Sequence, residues 1–343
     1  MLPQPRLPRR AGRRTNLALL TLLAVAAATG VLAYGVGTPG PARVVVAVHG
    51  AAGLGLLLLV PWKTVVVRRA WGRAAGTRGS AALLGVLVAL TVVSGALHVA
   101  GLAQPAVLQV HVGAAVGTVP LLVLHAWGRR QRPRRTDLSR RTLLQAGALA
   151  AGAAALWGAG EAVLRVAGAP GAGRRATGSL ERGTDDPAAM PVTQWFTDSV
   201  PDGAAGSLTV VSGARVATLT AADLDRGDRV RAALDCTGGW FAVQDWAGVR
   251  LDRLLAELFD DDLPGGGSVD VVSRTGYRRR LPLRDAGALL LATSAAGRPL
   301  SAGHGAPVRL VAPGRRGFWW VKWVERIEVV DAPWWRQPPF PLQ

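Results

Sequence analysis

Residues 234–255, LDCTGGWFAVQDWAGVRLDRLL, contain the only cysteine of a 343-residue chain, set against Gly238, Gly239 and Trp240. A single thiol in such company has three ordinary roles: a buried inert group, a nucleophile or a metal ligand. A nucleophile needs a base, and His304 is the only histidine in the C-terminal half. Glycines without side chains let the backbone approach a bulky group closely. Which role Cys236 takes depends on the chain around it and on the side of a membrane it occupies.

Outward from this stretch the chain reads as short β-branched runs separated by turn residues. SLTVVSG (207–213), SVDVVSR (268–274), PVRLVAP (307–313) and VERIEVV (324–330) predict strands, and DRLLAELF (252–259) has helical spacing. A strand-rich domain over 192–331 follows, and with the helices before it the fold class is α+β. GAPGAGRRATGSLERGTDDPAAMP (168–191), rich in Gly, Pro and charge, reads as a linker, and 332–343 as a C-terminal tail.

The first half has a different character. The net charge is +18, and residues 1–141 hold eighteen Lys or Arg against one acid, Asp137, while the remainder is nearly balanced. The cations cluster in RRAGRR (9–14), KTVVVRRAWGRAAGTR (63–78) and RRQRPRRTDLSRR (129–141), between apolar stretches at about 15–37, 42–62, 81–101, 106–127 and 142–160. Each stretch approaches the roughly 20 residues a helix needs to cross hydrocarbon. With the N-terminus inside, every basic cluster falls on the cytoplasmic side, as positive charge orients spans. Residues 1–167 therefore predict a five-span domain in the plasma membrane, and the fifth span delivers the C-terminal domain to the periplasm or cell exterior. Nucleic acid is excluded as a partner, because no basic and aromatic surface motif accompanies the charge. Ser139-Arg140-Arg141, followed by Thr142, Leu143 and Leu144 and an Ala/Gly-rich span, is similar to a twin-arginine export signal. Arg140 and Arg141 read equally as positive-inside anchors.

Three blocks in order, residues 234–255, GYRRRLPLRDAGALLLATSAAGRPLSAGHGAPVRLVAP (276–313) and GFWWVKWVERIEV (317–329), resemble the molybdopterin domain of the sulfite oxidase family, which includes periplasmic methionine sulfoxide reductases. The resemblance covers roughly 190–331. It implies a molybdenum–molybdopterin cofactor whose metal takes its thiolate ligand from Cys236, the catalytic residue. A soft deprotonated sulfur suits a metal already bound by sulfur, and a metal bond protects a lone extracytoplasmic thiol. The resemblance also implies that His304, Arg309 and Lys322, with the turn at Gly317, contact the anionic tail of the pterin. Arg offers a planar fork to phosphate and Lys a point charge. Thirty-eight of the forty cations are arginine, which sets Lys322 apart. Only about a dozen residues follow the last block here, against a further dimerisation domain in the sulfite oxidases.

The other four histidines, His49, His98, His111 and His125, lie in the expected spans, where ionisable side chains are candidate functional groups. Two imidazoles on different helices can clamp a haem iron. His49 with His111 is the first choice for an outer b-type haem, with His98 as the competing ligand. Hydrogen bonding between helices is the alternative role. The resulting expectation is a membrane-anchored molybdenum oxidoreductase that transfers an oxygen atom to or from a small substrate, with a membrane haem and a quinone or cytochrome as redox partner. The competing classes are a cofactor-free tethered binding module and a haem electron carrier with an accessory domain.

Overall fold

The computed structural model describes residues 12–71, 78–102, 106–127, 134–194, 198–202, 207–259 and 267–339. Parts of the three basic runs, of the 192–206 segment and of the tail lie outside the described residues. The chain divides into two compact units, Met1–Leu180 and Glu181–Gln343.

The first unit is helical: α1 (Arg13–Gly35), α2 (Pro39–Leu58), α3 (Val60–Trp71), α4 (Arg78–Ala100), α5 (Ala106–Trp127) and α6 (Arg140–Val166). Among the described residues, all of these except α3 are long and apolar enough to cross a membrane. The chain is a multi-pass membrane protein whose C-terminal domain follows the bundle. α1 packs on α2, α4 on α5 and α6 on α2. Gly50 of α2 makes the last contact close, since a Cβ there would overlap the Trp157 ring. The second expected span is shorter than 42–62. It ends at Leu58, and α3 starts afresh with Pro61 in its first turn, where a missing amide is no loss. The fifth is longer than expected and begins behind Ser139, whose Oγ accepts from the Thr142 N–H at 3.4 Å. Arg13 Nε donates to Asp137 Oδ1 at 2.9 Å, so α1 and α6 begin at the same end of the bundle.

Among the described residues, the second unit contains two sheets and one α-helix. Its strands are β1 (Leu180–Glu181), β2 (Leu208–Ser212), β3 (Arg215–Leu219), β4 (Asp228–Asp235), β5 (Trp240–Arg250), β6 (Ser268–Ser273), β7 (Arg278–Pro282), β8 (Leu290–Ala295), β9 (Arg298–Pro299), β10 (Arg309–Val311) and β11 (Val324–Val330). One sheet runs β1-β5-β8-β10, with β4 also on β5 and β9 on β8. The other runs β3-β2-β11-β6-β7. β11 is parallel to β2 and antiparallel to β6. The helix α7 (Leu251–Phe259) buries Leu251, Leu254, Leu255 and Phe259, the one-sided spacing that its sequence predicts.

The stretch 168–191, expected as a linker, is ordered. It holds a 3-10 turn at Pro170–Gly173, β1 and a second turn at Pro187–Ala189. Arg182 N donates to Phe241 O at 2.8 Å and Asp185 N to Val243 O at 3.0 Å, so its polar residues run along the edge of β5. Its glycines are turn residues, with Gly183 at φ +79°. The tail also folds back, since Gln337 Nε2 donates to Arg280 O at 2.7 Å while its Oε1 accepts from Arg280 N at 3.0 Å.

Candidate cofactor site

β4 and β5 form an antiparallel hairpin joined by residues 236–239. Cys236 N donates to Trp240 O at 2.9 Å and Gly239 N to Cys236 O at 3.2 Å, with Gly239 at φ +84°, a conformation a side chain would resist. The loop holds the sulfur partly exposed. Gly238 N donates to Sγ at 3.3 Å, and Thr193 Oγ1 lies 3.2 Å from it.

Three further segments close on this loop. At Gly317 a Cβ would stand 2.9 Å from Cys236 Cα and 3.1 Å from Asp235 O, so only glycine lets the 315–317 turn lie against the hairpin. The contact is locked by a buried ion pair between Arg316 and Asp235, the residue before the cysteine, which the sequence reading missed. Gly305, at φ +105°, makes a slightly looser approach to Lys322, where a Cβ would lie 3.2 Å from the Lys322 Cα. That approach brings Arg309 and Lys322 into one neighbourhood.

Arg309 is 1% exposed, with its guanidinium 5.0 Å from the Trp246 ring centroid and 5.6 Å from that of Trp320. Nη1 donates to His304 O at 3.0 Å, Nε has no hydrogen-bond partner, and no carboxylate pairs with it among the described residues. Burial pulls its pKa down to about 10, against the opposing pull of Cys236. Lys322 Nζ donates to Thr193 O at 2.9 Å and Gly303 O at 2.8 Å. Both ring nitrogens of His304 are engaged, Nδ1 with Ser301 Oγ at 2.8 Å and Nε2 with Met190 O at 3.1 Å. Burial first, then Arg309 and Lys322, hold its pKa below the ordinary histidine range. A neutral His304 that donates from Nε2 to a carbonyl is suited to fixing Arg309 through its own backbone oxygen. Cys236, His304, Arg309, Gly317 and Lys322 thus meet in one region. Tyr277 and Trp246 have structural roles: the Tyr277 hydroxyl donates to Phe318 O, and Trp246 is fully buried with Nε1 donating to Ala232 O.

These residues fit a large anionic group bound through sulfur. Cations converge beside the only thiol, and the buried Arg309 Nε and Trp240 Nε1 lack acceptors among the described residues. Lys322 gives the fit a pH signature. Burial and then Arg309 depress it to about 8, with Cys236 and Asp198 pulling the other way. An anion would restore the ammonium form, so above pH 8 binding takes up a proton. Molybdopterin uptake by the cofactor-free protein is expected to be insensitive to this group below pH 8 and to weaken by up to about tenfold per pH unit above it. Lys322→Met should flatten the profile. Equilibrium uptake at pH 7 and pH 9 checks this, and an equal slope in the variant would refute it.

In the bundle, the structure brings His49 and His111 together, with ring centroids 5.8 Å apart. His98 lies in the last turn of α4 beside Gly178, and His125 in the last turn of α5.

Residues 202–337 match the family of the oxidoreductase molybdopterin binding domain. The NAD(P)H nitrate reductase of Hordeum vulgare is 42% identical over 105 residues, 26% of this chain and 12% of that protein. The NADH nitrate reductase of Lotus japonicus is 39% identical over 72 residues, 21% of this chain and 8% of that one. The matches therefore span a small part of these relatives' own length. The crystal structure of the sulfane dehydrogenase SoxCD from Paracoccus pantotrophus aligns at 28% identity and a TM-score of 0.33, over 37% of this chain and 38% of that one. The C-terminal unit is a molybdopterin-binding oxidoreductase domain. In this chain it follows a multi-helix membrane bundle.

Proposed function

We propose that the protein is a membrane-anchored molybdenum–molybdopterin oxidoreductase that performs two-electron oxygen-atom transfer on a small substrate outside the cytoplasm. Arg309 carries the reading. A buried cation without a carboxylate costs several kcal/mol unless an anion joins it, and this one stands near the chain's single cysteine. When bound, the cofactor supplies the two-electron change and the exchange of oxygen. Cys236 Sγ serves as the thiolate ligand, steadied by the Gly238 amide and Thr193 hydroxyl. Arg309 and Lys322 neutralise the phosphate end of the pterin, and His304 holds Arg309 in place. Gly317 keeps the 315–317 turn packed against the cysteine loop, which fixes where Cys236 presents its sulfur. An outward-facing domain is supported by the basic runs between spans, and Ser139-Arg140-Arg141 fits export of a folded, loaded domain. A haem held by histidines of the bundle would supply one-electron exchange, with a quinone or cytochrome as the redox partner.

The deciding experiment is molybdenum and pterin analysis of the full-length protein purified from a host that makes the cofactor. One molybdenum and one pterin per chain are expected, and a preparation with neither removes the reading.

A further inference from the structure

The bundle contains a repeat. In α1, Thr29 Oγ1 donates to Val25 O at 2.6 Å and Ala26 O at 3.2 Å. In α4, Ser94 Oγ donates to Leu90 O at 2.6 Å and Thr91 O at 3.1 Å. Each hydroxyl residue precedes a glycine, Gly30 or Gly95, and each glycine faces a histidine on the next span. A Cβ on Gly30 would stand 3.1 Å from His49 Cε1, and one on Gly95 2.9 Å from His111 Cε1. Each histidine is tied to the carbonyl one turn before that glycine, His49 Nδ1 to Ala26 O at 2.9 Å and His111 Nδ1 to Thr91 O at 2.8 Å. Deeper in each hairpin a second glycine meets a leucine of the first helix, Gly55 against Leu22 and Gly117 against Leu87. Buried Ala52 and Leu56 correspond to buried Ala114 and Thr118. α1–α2 and α4–α5 are two copies of one helical hairpin, each presenting a single imidazole.

The copies are arranged so that these imidazoles meet, centroids 5.8 Å apart and planes crossed at 86°. An Nδ1–H spent on a carbonyl fixes the neutral tautomer whose lone pair is on Nε2, the form a metal takes. Neither Nε2 has a hydrogen-bond partner among the described residues. A metal bridging two imidazoles at about 2 Å from each nitrogen places the ring centroids roughly 6 Å apart. No group of three or more His, Cys, Asp or Glu side chains able to hold a metal exists among the described residues, so this pair can supply two ligands only. The metal centre that asks a protein for two opposed imidazoles is a haem iron, whose macrocycle fills the other positions.

We infer that His49 and His111 are the axial ligands of one haem, each delivered by one copy of the repeated hairpin. This deepens the proposed function by naming the site of its membrane electron carrier, yet the two can fail separately. The test is haem and molybdenum content of the same full-length preparations, with reduced-minus-oxidised spectra and electron paramagnetic resonance. Wild-type protein should hold one non-covalent haem per chain with a low-spin ferric signal of the strongly anisotropic kind that crossed imidazoles give. His49→Leu and His111→Leu should each lose at least tenfold in haem while keeping molybdenum, and His98→Leu and His125→Leu should keep both. Adding free imidazole to His111→Gly should restore haem binding. Wild-type protein without haem, or either ligand variant retaining it in full, overturns the assignment. Loss of molybdenum in Cys236→Ser with haem unchanged supports it as a site apart from the molybdenum centre.

Discussion

Cys236→Ser is expected to lower turnover by at least about a hundredfold, since even the outer partners of metal ligands are worth 10- to 100-fold. The substituted atom is the one offered to the metal. A serine oxygen is hard and protonated at neutral pH, whereas a centre already held by sulfur favours a thiolate. The fold should survive, because the side chain sits partly exposed in a four-residue hairpin loop rather than in the core. Gly238 N and Thr193 Oγ1 can each hydrogen-bond the smaller atom in its place. Turnover on sulfite and a set of sulfoxides, with the Mo(V) resonance of the same protein, reads the outcome. Unchanged turnover with an unchanged molybdenum spectrum would end the ligand assignment.

The second large effect is expected at a pair the sequence did not single out. Arg316 and Asp235 are 5% and 8% exposed at their side chains and hold the 315–317 turn against the cysteine loop. Arg316→Leu takes the guanidinium away from a buried carboxylate, and breaking a buried ion pair in this way costs about 3–5 kcal/mol. A sharp fall in the unfolding midpoint of the C-terminal domain, followed by tryptophan fluorescence, should come with a fall in bound molybdenum. Removing both charges in Asp235→Leu/Arg316→Leu should recover much of the midpoint, because two apolar groups bury no lone charge. A double variant as unstable as the single one would show that the pair acts through geometry and not charge.

The sequence made the bundle legible because lipid demands long apolar runs, and all five spans appear with their ends displaced by a few residues. The expected strands at 207–213, 268–274, 307–313 and 324–330 contain β2, β6, β10 and β11, whose β-branched residues announce them. β4 and β5 do not announce themselves. β4 carries Arg229 and Arg231 at its exposed positions and begins and ends on Asp, and β5 mixes Ala, Gln, Asp and Gly, so its burial alternates where its composition does not look like a strand. The site residues were legible only as a family pattern. What they do to one another was not, because the buried Arg316–Asp235 pair and the His304–Arg309 contact join residues far apart or otherwise unremarkable in the chain. The bundle repeat was missed for a related reason. Its two copies share a hydroxyl, a glycine, a histidine and a few small residues, and their equivalence lies in which carbonyl each imidazole reaches.

The proposed cofactor site draws on Thr193, Cys236, Arg309, Gly317 and Lys322, which are scattered over well over a hundred positions and meet through tertiary contacts alone. An unfolded chain offers the pterin nothing to hold, so every increment of binding free energy favours the folded form. In a cell starved of molybdenum the same polypeptide would be looser, easier prey for proteases and scarcer, without any change in its gene.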